Sequence, residues 1–133
     1  MKYMLDTNIC IHIIRHRPQS VLERFSEIQP DDVCISAITY SELKYGAEKS
    51  SDPTRNWLAV SLFLSAIAVV PYDEYAGNEY GSIRTGLEKH GTPIGAMDML
   101  IAAHAKALGF TLVTNNTREF ERVEGLKLDN WVR

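Results

Sequence analysis

The sequence predicts an α/β fold, a three-layer α/β/α sandwich around a parallel sheet of four to five strands. Short apolar runs alternate along the chain with longer segments in which apolar residues recur at helical spacing. Strands separated by helices pair in parallel, and the helices then cover both faces of the sheet. With 133 residues, 45% of them hydrophobic, the chain has the size of one domain with its own core. We therefore predict a single domain over residues 1–133.

The predicted strands are short apolar runs bounded by polar or turn-forming residues. The run Tyr3-Met4-Leu5 stops at Asp6, and Val33-Cys34-Ile35 follows the helix-breaking segment Pro30-Asp31-Asp32. Pro71 closes the third run, because proline cannot donate to a sheet ladder. The strands are predicted at 3–5, 33–35, 68–70, 111–113 and, at the edge of the sheet, 126–128.

The predicted helices begin near capping residues and end at glycine or in polar loops. Ser36 or Thr39 caps the third helix, which ends at Gly46 or in the loop that follows it. Gly109 ends a long alanine-rich helix, and Asn116 caps a last, short one. The helices are predicted from 7, over 19–28, from 36 or 39, over 54–66, over 74–89, up to 109 and from 116.

Composition and charge limit the classes of protein to which the chain can belong. Its apolar stretches fall short of the roughly 20 residues that cross a bilayer, so we expect a soluble, cytoplasmic protein without a membrane segment. Cys10 and Cys34 lie in apolar runs, as buried free thiols do in a reducing compartment. The net charge of −3 argues weakly against nucleic-acid binding. That objection shrinks if several acids belong to a metal site.

Four acidic residues fall where strands end or helices begin: Asp6, Glu42, Asp98 and Glu119. The carboxyl ends of parallel strands share one edge of a sheet, where such folds bind ligands, so these four are predicted to converge. Four carboxylates repel one another, and a hard divalent cation with oxygen ligands would neutralise them. Each acid also fits, taken singly, as an ordinary helix-capping residue.

In chain order, these segments resemble the PIN-domain ribonucleases and, within them, the VapC toxins of bacterial toxin–antitoxin pairs. The segments are Met4-Leu5-Asp6-Thr7-Asn8, Ser41-Glu42-Leu43 with Tyr45-Gly46, Asp98 with Ile101-Ala102-Ala103-His104-Ala105, and Val113-Thr114-Asn115-Asn116 with Glu119-Phe120. The resemblance covers essentially the whole chain and implies one PIN domain. It implies a Mg²⁺-dependent endoribonuclease, with Mn²⁺ as a substitute, that cleaves structured RNA, transfer RNA above all. An activated water would attack the phosphodiester.

The resemblance also implies roles for the four acids, which together would form the catalytic site. Asp6 and Asp98 would bind the metal, and Glu42 would complete its surroundings. Many relatives carry an Asp where this chain has Asn116. Glu119 would take that fourth acidic position, and Asn116 would orient a water or a phosphate oxygen.

Hydroxyl and guanidinium groups near the acids complete the predicted site. Thr7 and Thr114 are predicted to hold carboxylates in place by hydrogen bonds, with simple strand-end hydroxyls as the alternative. Arg15, Arg17 and Arg118 are predicted to contact RNA phosphates, and a merely solvated surface is the alternative.

As for partners, the resemblance implies a VapB-type antitoxin whose C-terminal segment wraps the domain. It also implies a homodimer and binding of operator DNA only through the antitoxin. The amphipathic segments 19–28 and 54–66, which carry Phe25, Trp57 and Phe63, are candidates for antitoxin contact.

Two functions of other classes stay open on the sequence. A phosphoryl-accepting α/β domain would also place an aspartate after its first strand, although Asn8 stands where a phosphatase carries a second Asp. In a non-catalytic binding module, the four acids would only cap helices. His104 lies on an apolar helix and is predicted to be structural, which argues against metal-free catalysis by histidine.

Overall fold

The computed structural model describes residues 2–132, and every predicted element lies within a few residues of its predicted position. The strands are β1 (Tyr3–Leu5), β2 (Val33–Ser36), β3 (Ala68–Val70), β4 (Thr111–Val113) and β5 (Leu128–Asp129). The helices are α1 (Thr7–Ile14), α2 (Gln19–Glu27), α3 (Ala37–Glu48), α4 (Pro53–Leu64), α5 (Glu74–Lys89), α6 (Ala96–Leu108) and α7 (Thr117–Phe120), with a 3₁₀ turn at Pro30–Asp32.

The sheet is parallel throughout, with the strand order β3-β2-β1-β4-β5. From β1 the chain adds β2 and then β3 on one side, and it then crosses back to place β4 on the other side of β1. Tyr3 thus pairs with both Val33 and Thr111. Where the direction of winding reverses, the two flanking connections leave the sheet on opposite sides, and a crevice opens at the carboxyl ends of β1 and β4.

Apolar side chains form a core layer on each face of the sheet. Met4 and Leu112 pack on one face with residues of α5 and α6. Leu5 and Val113, their neighbours along the same strands, pack on the other face with residues of α1 to α4. Successive side chains of β1 and β4 thus point to opposite faces of the sheet, and both faces are covered by helices, so these strands are buried on both sides. The predicted α/β/α sandwich is confirmed.

The sequence allowed two starts and two ends for α3, and the structure has the earlier start and the later end. Ser36 is the N-cap residue, and its hydroxyl accepts a 3.0 Å hydrogen bond from the backbone N–H of Ile38. Thr39 lies inside the helix and is buried, so it caps nothing. The helix also continues through Gly46 and ends at Glu48. Helical hydrogen bonding therefore overrides the weak helix propensity of glycine at this position.

The last strand was predicted two residues too early. Pairing with β4 sets its position, because Leu112 pairs with Leu128 and Val113 with Asp129. Local apolar pattern carries no information about that register. Elsewhere, Cys10 and Cys34 are free and buried, as predicted. None of the helices within residues 2–132 is long and apolar enough to cross a membrane.

Candidate active site

Asp6 lies at the carboxyl end of β1, where the crevice opens, and only 4% of it is exposed. Its Oδ1 accepts a 2.8 Å hydrogen bond from the backbone N–H of Thr7, so Asp6 is the N-cap residue of α1. Its Oδ2 accepts a 2.8 Å hydrogen bond from the hydroxyl of Thr114, at the end of β4. Capping and a place in the acidic site are therefore compatible in one residue.

A second set of hydrogen bonds runs from Thr114, after β4, to Glu119 on α7. Oγ1 of Thr114 accepts a 3.0 Å hydrogen bond from the backbone N–H of Asn116. The side-chain Nδ2 of Asn116 in turn donates to Oε2 of Glu119 over 3.1 Å. Asn116 occupies the N-cap position of α7, but its side chain makes no capping bond. The predicted capping role of this side chain is therefore wrong, because it is bonded to Glu119 instead.

Glu42 reaches the same site from α3. Its Oε1 accepts a 2.6 Å hydrogen bond from the hydroxyl of Thr7, which also lies 3.3 Å from the hydroxyl of Thr39. The alternative explanation for Glu42 was an ordinary capping role at the start of α3, with Thr39 as the N-cap residue. That alternative is wrong, because Thr39 is inside the helix and Glu42 bonds to a residue 35 positions away.

Asp98 lies in the first turn of α6 and is half-buried. Burial raises the pKa of its carboxyl to about 6, and repulsion from Asp6, Glu42 and Glu119 contributes to the same shift. The position of its carboxylate also depends on Gly95, where an added Cβ would lie 3.3 Å from Oδ2 of Asp98. The four predicted acids are thus within electrostatic reach of one another.

Burial also raises the pKa of Asp6, although the hydrogen bonds from Thr114 and Thr7 oppose that shift. Glu42 raises it further by repulsion. Clustered carboxylates with raised pKa values are what a bound cation would relieve. The site therefore has the electrostatic character of a cation site.

The donor set fits a hard divalent ion. Within residues 2–132, no group of three His, Cys, Asp or Glu side chains is arranged to hold a metal ion. Mg²⁺, however, usually takes only one or two protein carboxylates and completes its octahedron with water and substrate phosphate. Carboxylate and hydroxyl oxygens fixed by hydrogen bonds suit that manner of binding.

The three predicted RNA-contacting arginines are exposed, and none of them makes an ion pair with another described residue. Arg15 follows α1 and lines a cavity that also contacts Thr7 and Glu42. Arg118 precedes Glu119 on α7. Arg17 also follows α1 but does not line that cavity. Arg15 thus shares a cavity with Glu42, Arg118 adjoins Glu119 along α7, and Arg17 is outside the lining of that cavity.

Sequence reasoning missed Asn56, which lines this cavity from α4. Tyr45, Gly46 and Lys49 also line it, from α3 and its C-terminal end. Helical spacing is the signal that groups them, since residues three, four and seven positions after Glu42 lie on the same side of a helix. His104 behaves as predicted, because it is buried and its Nδ1 lies 2.8 Å from the Ser36 hydroxyl.

The sequence of this chain matches a known family. The family model for the PIN domain matches residues 3–126, a span that includes all four acids. The chain belongs to the PIN-domain family. Its resemblance to the ribonucleases of this family, and to VapC proteins among them, is confirmed.

Relatives of this PIN domain match it from end to end. It is 50% identical over 131 residues to the tRNA(fMet)-specific endonuclease VapC of Shigella flexneri, covering 98% of both chains. Its structure is similar to VapBC2 from Rickettsia felis bound to a DNA fragment from their promoter, with a TM-score of 0.93, 40% identity and coverage of 98% of this chain and 99% of that one. It is also similar to DNA-bound VapBC from Salmonella typhimurium, with a TM-score of 0.93, 46% identity and coverage of 98% of both chains.

Proposed function

We propose that this PIN domain is the toxin of a VapBC-type pair and a Mg²⁺-dependent endoribonuclease that cleaves structured RNA, with transfer RNA as its first candidate substrate. One observation carries the proposal: hydrogen bonds from Thr7, Thr114 and Asn116 connect three of the four acids at the switch point of the sheet. Close relatives are named as ribonucleases and as a tRNA(fMet)-specific endonuclease, which supports the substrate class.

In this proposal, Asp6 and Asp98 would hold Mg²⁺, for which Mn²⁺ could substitute. When bound, the ion would supply activation of a water and stabilisation of the charge on the phosphate and the leaving oxygen. Asp6 is held in one orientation, because each of its carboxylate oxygens accepts a hydrogen bond. Glu42 is held through Oε1 by Thr7, which leaves Oε2 to orient the attacking water and accept its proton.

The remaining groups bind and place the RNA. Asn116 fixes Glu119 with one amide proton and keeps the other for a phosphate oxygen. Arg118 is the neighbour of Glu119 on α7, and Arg15 shares a cavity with Glu42; with Arg17, these arginines contact the RNA backbone. Cations are needed here, because the acids alone would repel the substrate.

The partners follow from the same family relationship. A VapB-type antitoxin binds this domain, and operator DNA is bound only through the antitoxin, in line with the DNA-bound VapBC structures that the fold matches. Leu58 and Leu62 of α4 are 61% and 67% exposed, and Phe25 packs on Phe63 with ring centroids 6.2 Å apart. These apolar side chains suit an antitoxin contact. The toxin itself is a homodimer in the cytoplasm.

The phosphoryl-acceptor alternative fits the chain less well. The phosphatase pattern has a second Asp two residues after the nucleophile, whereas this chain has Asn8 there, in the first turn of α1. Acyl-phosphate labelling of Asp6 by a small phosphodonor would revive that alternative.

The decisive experiment compares the antitoxin-free chain with an Asp6→Asn/Asp98→Asn double variant on unfractionated bacterial transfer RNA in Mg²⁺. An Asp31→Asn/Asp52→Asn variant, which removes two exposed acids, is the matched control. We expect discrete cleavage by the wild-type and control chains only, with 5′-phosphate ends. Equal cleavage by all three chains would place the activity elsewhere, and cyclic phosphate ends would exclude attack by water.

A further inference from the structure

A cavity of about 520 Å³ lies between α1, α3 and α4 and shares Thr7 and Glu42 with the acidic site. Its volume is in the range of small-molecule sites and is sufficient for a nucleoside. Because Glu42 lines it, a ligand in this cavity would be continuous with a phosphate held at the acids. The cavity is thus positioned for a part of the substrate next to the reacting bond.

Gly46 lines this cavity without a side chain. It lies one helical turn after Glu42 on α3, so the two residues share a face of the helix. A Cβ at Gly46 would have no heavy atom within 4 Å, so no close packing requires a glycine at this position. A larger side chain here would therefore extend into the cavity.

The lining has the chemistry of a nucleotide site. The ring of Tyr45 is exposed, with the residue 66% accessible, and Nζ of Lys49 lies 4.8 Å from its centroid. Lys49 and Arg15 make no ion pair with the rest of the described chain. An exposed tyrosine ring with a cation over one face, and a second cation in the same cavity lining, suit a base and its phosphate.

Asn56 adds a group that can read a base edge. Its Nδ2 donates a 2.7 Å hydrogen bond to the hydroxyl of Ser50, which fixes the orientation of the amide. The amide oxygen accepts no hydrogen bond from residues 2–132 and is available to a donor on a ligand. Asn and Gln amides form paired hydrogen bonds with base edges in nucleic-acid recognition.

We propose that this cavity binds one unstacked nucleotide of the RNA substrate, next to the scissile phosphate. Tyr45 stacks on the base, Arg15 and Lys49 bind the adjoining phosphate, and Asn56 contacts the base edge. The inference rests on the proposed ribonuclease activity and adds to it a site that determines which loop nucleotide is accepted. Recognition of single-stranded RNA by stacking on splayed-out bases is the general mode.

The test fills the cavity without touching a carboxylate. Gly46→Leu places a side chain in the open space, and Gly81→Leu makes the same change at an exposed glycine of α5 that also has open space around it. With unfractionated bacterial transfer RNA in Mg²⁺, we expect Gly46→Leu to raise KM by at least about tenfold, the scale of one lost base stack. Gly46→Ala should fall between Gly46→Leu and wild type. Gly81→Leu should match wild type.

Two further measurements separate this inference from the activity on which it rests. Tyr45→Ala should raise KM while Tyr45→Phe, which keeps the ring, should not, and Mn²⁺ affinity should be unchanged in Gly46→Leu. A wild-type KM in Gly46→Leu would overturn the nucleotide site and leave the ribonuclease activity standing. If Gly46→Leu has a wild-type KM but binds the antitoxin more weakly, the cavity is a peptide-binding site and the nucleotide site is refuted. Absence of cleavage by the wild-type chain would overturn both.

Discussion

The hydroxyl of Thr114 donates a 2.8 Å hydrogen bond to Oδ2 of Asp6, a residue 108 positions earlier in the chain. Both residues stand immediately after adjacent parallel strands, and both are buried. A buried carboxylate is costly unless its oxygens accept hydrogen bonds, and this one accepts two. The bond therefore holds the most buried of the four acids in a single orientation.

Removing the Thr114 hydroxyl should weaken the site without removing an acid. Thr114→Val leaves Oδ2 of Asp6 and the backbone N–H of Asn116 unpaired, whereas Thr114→Ser keeps both bonds. We expect Thr114→Val to lower RNA cleavage or Mn²⁺ affinity by about 10- to 100-fold, as for other groups that hold metal-binding carboxylates. Thr114→Ser should stay close to wild type. A loss in Thr114→Ser with wild-type behaviour of Thr114→Val would instead indicate packing of the methyl group and would refute the role of the hydroxyl.

Asp98 should destabilise the metal-free protein. Its pKa of about 6 in the folded chain lies above its ordinary value of 3.8, so its charge opposes folding above pH 6 and has no effect below pH 4. In the presence of a chelator at pH 7, Asp98→Asn should raise the free energy of unfolding by about 1–2 kcal/mol, allowing for solvent screening. Urea unfolding of the two proteins measures this difference in the free energy of unfolding.

The control for this stability change is Glu74→Gln, at the exposed first turn of α5. An acid is favourable at such a helix start, so this variant should gain nothing. Adding Mg²⁺ should then stabilise wild type more than Asp98→Asn. Unchanged or lowered stability of Asp98→Asn in chelator would contradict repulsion among the four acids.

His104 should make stability fall in mild acid. Burial lowers its pKa from 6.5, and it does so against the opposing effects of Asp73 and of the backbone at Pro71. The unfolded chain therefore binds the proton more readily than the folded chain, and stability is lost as the pH falls below 6.5. His104→Gln keeps a polar partner for Ser36 but does not titrate. Thermal unfolding between pH 7.5 and 5 should decline less in this variant, and parallel profiles would refute the assignment.

Arg118 should contribute to RNA binding through charge. If it contacts a phosphate, Arg118→Ala weakens binding across RNA sequences and lowers the slope of log affinity against log salt by about 1. Arg84→Ala is the control, because Arg84 is paired with Glu88 on α5. Filter binding of transfer RNA at several salt concentrations measures the slope. A slope equal to that of wild type would remove Arg118 from the interface.

Local pattern was sufficient to predict the strands, the helices and the positions of the four acids. Apolar runs and helical spacing depend on neighbours a few residues away, and these are visible in the sequence. Asp6 after a strand and Asp98 at a helix start were recognisable for the same reason. The motifs around them also sufficed to identify the PIN-domain family.

Contacts between distant segments were decided only when the chain folded. The partner of Glu42 is Thr7 rather than Thr39, because folding brings α3 beside the start of α1. Asn116 and Glu119 bond to each other locally, and the hydroxyl of Thr114 links them to Asp6 across the sheet. The register of β5 depends on β4. The open space beside Gly46 depends on the packing of α1 and α4 against α3, which makes this glycine one wall of a cavity. Helical and strand propensities act over a few residues, whereas these distances are set by how the layers pack.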